Sequence, residues 1–138
     1  VENDVKKIEW DAKRFLSKNN YLIQTDAVKN YLIPSGNYKE NLEWLAYAEE
    51  ADILNVALFG FTEKAWREEN PELAKKNNVR DFASINELTV LSNLETHNAQ
   101  MIREGRSKAE RFQILKEIAE YQLNILKAAE KIKLIEEK

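Results

Sequence analysis

The sequence predicts an all-α fold, and three features carry that prediction. Only three glycines and two prolines occur in 138 residues, too few for the frequent turns of a β-chain. Apolar residues recur at helical spacing along most of the chain, and no stretch alternates as a strand does. Two capping boxes, Ser84–Glu87 and Ser107–Glu110, flank the single Gly105, which reads as a helical hairpin. The expected architecture is one domain over residues 1–138. It has six or seven helices around a buried central helix at about 40–59, and a C-terminal hairpin of about 85–104 and 108–135.

The elements follow in order. Residues 3–18 carry Val5, Ile8, Trp10, Phe15 and Leu16 in a moderate helical pattern, with Asn19-Asn20 as its stop and Tyr21–Ile23 as a short apolar connector. Residues 1–23 therefore read as a connecting helix and joint. Thr25 stands where an N-cap belongs, with Asp26 in the first turn, and that helix must stop before Pro34. Pro34-Ser35-Gly36-Asn37 is the strongest loop signal in the chain. From Tyr38 a long helix runs into Glu50–Phe59, where seven of ten residues are apolar; such a helix is buried on most sides. Gly60 ends it. Thr62 caps a short helix, and Asn70-Pro71 is expected to open another, with Asn70 as cap and Pro71 at the first helical position. The two together resemble a helix-turn-helix in outline.

Composition narrows the classes of function. The chain is 43% hydrophobic and 33% charged, with three Trp, five Tyr and five Phe, which excludes disorder as the default. It has no cysteine, so disulfides, thiolate metal sites and a cysteine nucleophile are out. His97 is the only histidine; it falls on the polar side of its helix and offers no metal set. No metal or cofactor is expected. No apolar run approaches the roughly 18 residues of a spanning helix, so no membrane is expected either. The net charge of −3 draws the chain to no nucleic acid as a whole.

Polar residues on apolar faces are the candidate site. Asp52 and Asn55 interrupt the central helix one turn apart. Leaving such groups buried without partners costs roughly 1–3 kcal/mol each, and the candidate partners are Trp66-Arg67 and Arg80-Asp81. On the helix at 85–104, Glu95 and Asn98 fall within the arc of Leu88, Leu91, Leu94, Met101 and Ile102. These eight residues read first as a structural network that fixes helix register. They read second as a ligand or enzymatic pocket built on Glu95, Arg67 and Arg80, although nothing among them fixes a nucleophile. Lys64, Arg67, Lys75, Lys76 and Arg80 surround Trp66 as a basic cluster. Glu63, Glu68, Glu69 and Glu72 interleave with it and weaken an auxiliary DNA contact.

The last helix carries apolar residues over about 200° of arc, more than one packing partner needs. Its centre includes Phe112, Leu115, Ile118, Ala119, Ile125, Leu126, Ala129 and Ile132, widened by Ile114, Tyr121, Ala128 and Ile135. Either it is sandwiched within the domain or one edge pairs with another chain, with Leu115, Ile118, Ile125, Ala129 and Ile132 as the self-association set. Gln122 and Ala129 weaken the companion positions for a long coiled coil.

With these residues laid out, the chain resembles the region that follows the KilA-N domain in many phage-derived bacterial proteins. The matching stretches are Thr25–Lys29 with Leu32–Pro34, then Glu50–Gly60 (EADILNVALFG), Trp66–Pro71, Asn78–Ala83, Val90–Glu95 with Asn98, and Gly105 with Ser107 and Arg111. They span most of residues 10–126. The departures are local: Phe61 stands where a polar residue is commoner, and Lys75–Asn77 differs from the usual short turn. The resemblance implies that DNA binding belongs to a KilA-N domain N-terminal to this region, which this sequence lacks. The chain, starting at Val1, then reads as a fragment of a cytoplasmic protein of a bacterium or phage-infected cell. It implies no catalytic residues. The expected role is a non-catalytic interaction or oligomerisation module, as a homodimer or with another protein, that gives linked DNA-binding domains avidity.

Overall fold

The computed structural model describes residues 2–36 and 38–136, so Asn37 of the expected loop lies outside the described residues, as does the side chain of Ile135. Six α-helical segments and short 3₁₀ and π turns make one all-α domain, with no strand among the described residues. The first rod is α1 (Glu2–Ala27), a π turn (Val28–Leu32) and the short α2 (Ile33–Ser35), with no break between them. Next come a 3₁₀ turn (Glu40–Leu42), α3 (Trp44–Phe59) and α4 (Glu63–Glu69). Two further 3₁₀ turns (Leu73–Lys75 and Val79–Phe82) lead to α5 (Ile85–Arg103) and α6 (Lys108–Glu136). No helix is long and apolar enough to cross a membrane among the described residues.

The first 35 residues depart most from the sequence reading. The expected stop at Asn19-Asn20, the connector at Tyr21–Ile23 and the cap at Thr25 are all interior to α1. Asn20 is spent sideways: its amide donates to the Ser92 carbonyl at 3.0 Å and to the Ser92 hydroxyl on α5. Thr25 donates back to the Leu22 carbonyl at 3.0 Å, the mid-helix use of a hydroxyl. With no Gly or Pro before residue 34, nothing in the backbone forces a stop. Pro34 does not end the rod either. It sits in the first turn of α2, and the wider π pitch before it accommodates a ring that an ordinary α turn would exclude. The rod ends at Gly36, whose backbone is extended.

The α3 helix is buried as its composition predicts, with no exposed residue from Glu49 to Phe59. Its start is looser than expected, a 3₁₀ turn at residues 40–42 before the α-helix at Trp44. Gly60 ends it at φ +88°, donating to the Val56 carbonyl at 3.0 Å. No atom lies within 4 Å of a Cβ built there, so Gly60→Ala is expected to cost only the conformational penalty, about 1 kcal/mol. Urea denaturation measures it; a loss above about 3 kcal/mol would mean that this turn also packs.

Thr62 caps α4, accepting from the Ala65 amide at 3.1 Å. The second short helix expected after Pro71 is only the 3₁₀ turn at Leu73–Lys75. Asn70 donates to the Trp66 carbonyl at 2.9 Å, closing α4 instead of capping a successor. No helix-turn-helix results. Both capping serines accept as expected, Ser84 from the Glu87 amide at 3.0 Å and Ser107 from the Glu110 amide at 3.2 Å. Only the first box is complete, the Ser84 amide donating to Glu87 at 2.9 Å, while the Glu110 carboxylate pairs with Arg106 at 2.7 Å. The hairpin of α5 and α6 turns at Gly105, with φ +76°.

The α5 helix packs against α1, α3 and α6 alike. One core lies between α3, α5 and α6, with Leu54, Leu58, Leu91, Leu94, Leu115 and Ala119. A second lies where Ala27 and Val28 meet Ala46, Ala99 and Ile102. Leu115 and Ala119 are fully buried. Leu115 is therefore a core residue, a correction to its place in the self-association set.

Candidate functional site

Two polar clusters replace the single network expected from sequence. The first is fully buried and takes one residue from each long helix: Gln24 of α1, Glu50 of α3, Asn98 of α5 and Arg111 of α6. The Arg111 guanidinium grips the Glu50 carboxylate in bidentate fashion, with Nη2 to Oε2 at 3.0 Å and Nη1 to Oε1. Nη1 also donates to Asn98 Oδ1 at 2.8 Å, and Nε to the Arg106 carbonyl at 3.2 Å. The Asn98 amide donates to Glu50 Oε1 at 2.9 Å and to Gln24 Oε1 at 3.0 Å. The charges neutralise one another in bidentate geometry. No group is left to act on a substrate.

The second cluster lies at the surface between α1, α5 and the turn at Val79–Phe82. Arg80 meets Glu95 at 3.4 Å and donates to the Ser17 hydroxyl at 3.5 Å. Its guanidinium lies 5.4 Å from the centre of the Tyr21 ring, within cation–π range. Glu95 is fully buried, and its Oε1 has no hydrogen-bond partner. Burial pushes its carboxyl up to about 7, and the opposing pull of Arg80, and to a lesser degree of the neighbouring Ser17 hydroxyl, is too weak to restore the usual carboxylate range. Above the pair runs an open groove of about 380 Å³ whose walls include Arg14, Ser17, Lys18, Tyr21, Arg80 and Asp81. A smaller one of about 280 Å³ shares Tyr21, Asn78 and Arg80 and reaches Asn55 and Glu63.

The eight network residues expected from sequence are thus divided. Glu95 and Arg80 meet, and Asn98 belongs to the buried cluster. Asp52 is half-buried and makes no ion pair or side-chain hydrogen bond among the described residues; burial first, then Glu49 and Glu63, raise its carboxyl above the usual range. Asn55 lines the smaller groove. Neither reaches Arg67, which pairs with Glu63 at 3.1 Å and donates to the Ala74 carbonyl at 2.9 Å. Asp81 pairs with Arg14 at 3.2 Å and closes a capping box with Asn78. Trp66 is half-buried, its ring 5.8 Å from that of Phe82. The basic cluster around Trp66 is partly neutralised, Arg67 by Glu63 and Lys75 by Glu72 at 3.1 Å.

Sequence reasoning passed over Glu50, Arg111 and Gln24. Two of them were legible. Glu50 lies on the arc of Ile53, Leu54 and Ala57, and Arg111 on that of Leu115 and Ala119, so each helix buries one charge of opposite sign. Gln24 gives no such signal, because its helix turns polar residues inward.

Among the described residues no group of three or more His, Asp or Glu is placed to hold a metal ion. Comparison with protein families, with curated proteins and with solved structures finds no match.

Proposed function

We propose that this domain is a non-catalytic interaction module that joins copies of a larger, KilA-N-type DNA-binding protein in the cytoplasm of a bacterium or phage-infected cell. One observation carries the reading: the two long outer helices leave much of their apolar surface outside the core. On α6, Tyr121, Ile125 and Ile132 are exposed while Leu115 and Ala119 point inward. On α1, Val5, Ile8, Phe15, Leu16, Leu22 and Ile23 are exposed. Continuous apolar faces of this kind mark association surfaces. The buried cluster supports the same reading, since its charges are mutually satisfied. The KilA-N resemblance of Glu50–Gly60 and the other stretches supplies the parent protein. Joining two DNA-binding domains raises apparent affinity through effective concentration alone. Sedimentation equilibrium is expected to give the mass of two chains at tens of micromolar; a single-chain mass throughout that range removes the reading.

A second reading has a specific observation behind it. The partnerless Glu95 oxygen and the half-open Arg80 beside a groove suit a small polar ligand. In a thermal-shift screen of small carboxylates and phosphates, that reading requires a stabiliser whose effect disappears in Arg80→Ala.

A further inference from the structure

α1 is built inside out. The side it turns to α5 carries Ser17, Asn20 and Gln24, joined lower down by Ala27 and Val28. The opposite side carries Val5, Ile8, Ala12, Phe15, Asn19 and Leu22, which follow one another at alternating spacings of three and four residues. That is the heptad seam of a coiled coil, with Val5, Ala12 and Asn19 at one core position and Ile8, Phe15 and Leu22 at the other. The structure leaves it open: Val5 is 55% exposed, Ile8 68%, Phe15 64% and Leu22 59%, and Ala12 and Asn19 are exposed as well. Trp10, Ser17 and Gln24 recur every seven residues on the face directly away from this seam. The packing of α1 on its own domain and the seam therefore meet only at Phe15, which is 64% exposed and also stands at the wall of the larger groove.

We infer that the α1 seam pairs with the same seam of a second copy of this chain, the two helices running antiparallel. The inference rests on the reading that the domain joins chains, and it names the surface that does so. Charge and size on α1 choose the partner and the direction. In the antiparallel register Ala12 faces the partner's Phe15, small against large, and Val5 faces the partner's Leu22. Ile8 faces the partner's Asn19. The residues flanking the seam then bring Asp11 beside the partner's Lys18, and the two-fold axis repeats the pair. Both residues are exposed, and neither enters an ion pair among the described residues. In a parallel pair Asp4 would instead sit beside the partner's Glu9, a repulsion, and Phe15 against the partner's Phe15.

The seam spans 18 residues, about 27 Å of helix. A free helix of that length is only marginally ordered in water. Here packing on α5 already orders the later part of the seam, from Ser17 onward, so association has only the earlier turns to hold as it binds. Because the seam faces away from α5, the two domains would lie on opposite sides of the helix pair.

The experiment is sedimentation equilibrium on the whole chain, with circular dichroism to confirm helix content. The wild type is expected to be a dimer, and Phe15→Glu, at an exposed site, a folded monomer. Asp11→Lys alone and Lys18→Asp alone each turn two attractions into two repulsions. Each should weaken the dimer on the order of tenfold. The double variant Asp11→Lys/Lys18→Asp should restore it. Three results overturn the inference in different ways. A monomeric wild type removes the self-association reading itself. A dimer that survives Phe15→Glu but falls apart on Ile125→Glu/Ile132→Glu keeps that reading and moves the interface to α6. Dissociation by Phe15→Glu without rescue in the double charge reversal overturns the antiparallel register.

Discussion

Glu50→Ala is expected to destabilise the domain by about 3–5 kcal/mol, the cost of leaving a buried charge without its partner. The variant removes the two carboxylate oxygens that accept from the Arg111 guanidinium, leaving it only Asn98 Oδ1 and the Arg106 carbonyl, and removes one acceptor of the Asn98 amide. Arg111 is among the largest fully buried side chains, and no other carboxylate lies within its reach in the buried cluster. A loss of this size is a large fraction of the stability of an ordinary domain. Replacing both partners with apolar residues, Glu50→Leu/Arg111→Met, should recover most of the loss, because no charge is then stranded. Asn98 would still hold Gln24 through the 3.0 Å hydrogen bond. Urea denaturation of the two variants provides the measurement. A Glu50→Ala cost below about 1 kcal/mol would mean that water reaches Arg111.

Glu95→Gln should act in the opposite direction and only at higher pH. The folded carboxyl titrates near 7, against an ordinary value of 4.5. Between these values the folded chain holds a proton that the unfolded chain has already released. Stability therefore falls as pH rises from about 4.5 to about 7, then levels off. At about 1.4 kcal/mol per pH unit the loss is roughly 3 kcal/mol. A neutral glutamine still accepts from Arg80 and abolishes the slope. Glu95→Gln should be the more stable protein at pH 8, with little difference at pH 4.5. Denaturation curves at the two pH values check this, and equal differences at both would show that Glu95 stays ionised throughout.

How far the sequence shows the fold depends on the kind of signal each element carries. The α5–α6 hairpin was readable because Ser84, Glu87, Ser107 and Glu110 act locally, within one turn of the helix ends they close. The buried stretch of α3 was readable from apolar density alone. The first rod was not, because Asn19, Asn20 and Thr25 have the composition of a helix boundary. The role of Asn20 is set by Ser92, 72 residues away in the chain, and Thr25 turns back to the Leu22 carbonyl. Of the candidate site, the Arg80–Glu95 pair was within reach of helical arithmetic. The link from Glu50 to Arg111 spans 61 residues, and periodicity marks each end as buried without saying that they meet. The seam on α1 was hidden by the same misplaced boundary: a helix cut at Asn19 has too few heptads to show one.

The sideways use of Asn20 has a mechanical consequence. With Asn20 bonded to Ser92 and Gln24 to Asn98, α1 has no elbow between its first turn and the body of the domain. It is a lever arm clamped along its second half. A twist applied at its early turns reaches α3, α5 and α6 through the Gln24–Asn98–Glu50–Arg111 junction, with no hinge to absorb it.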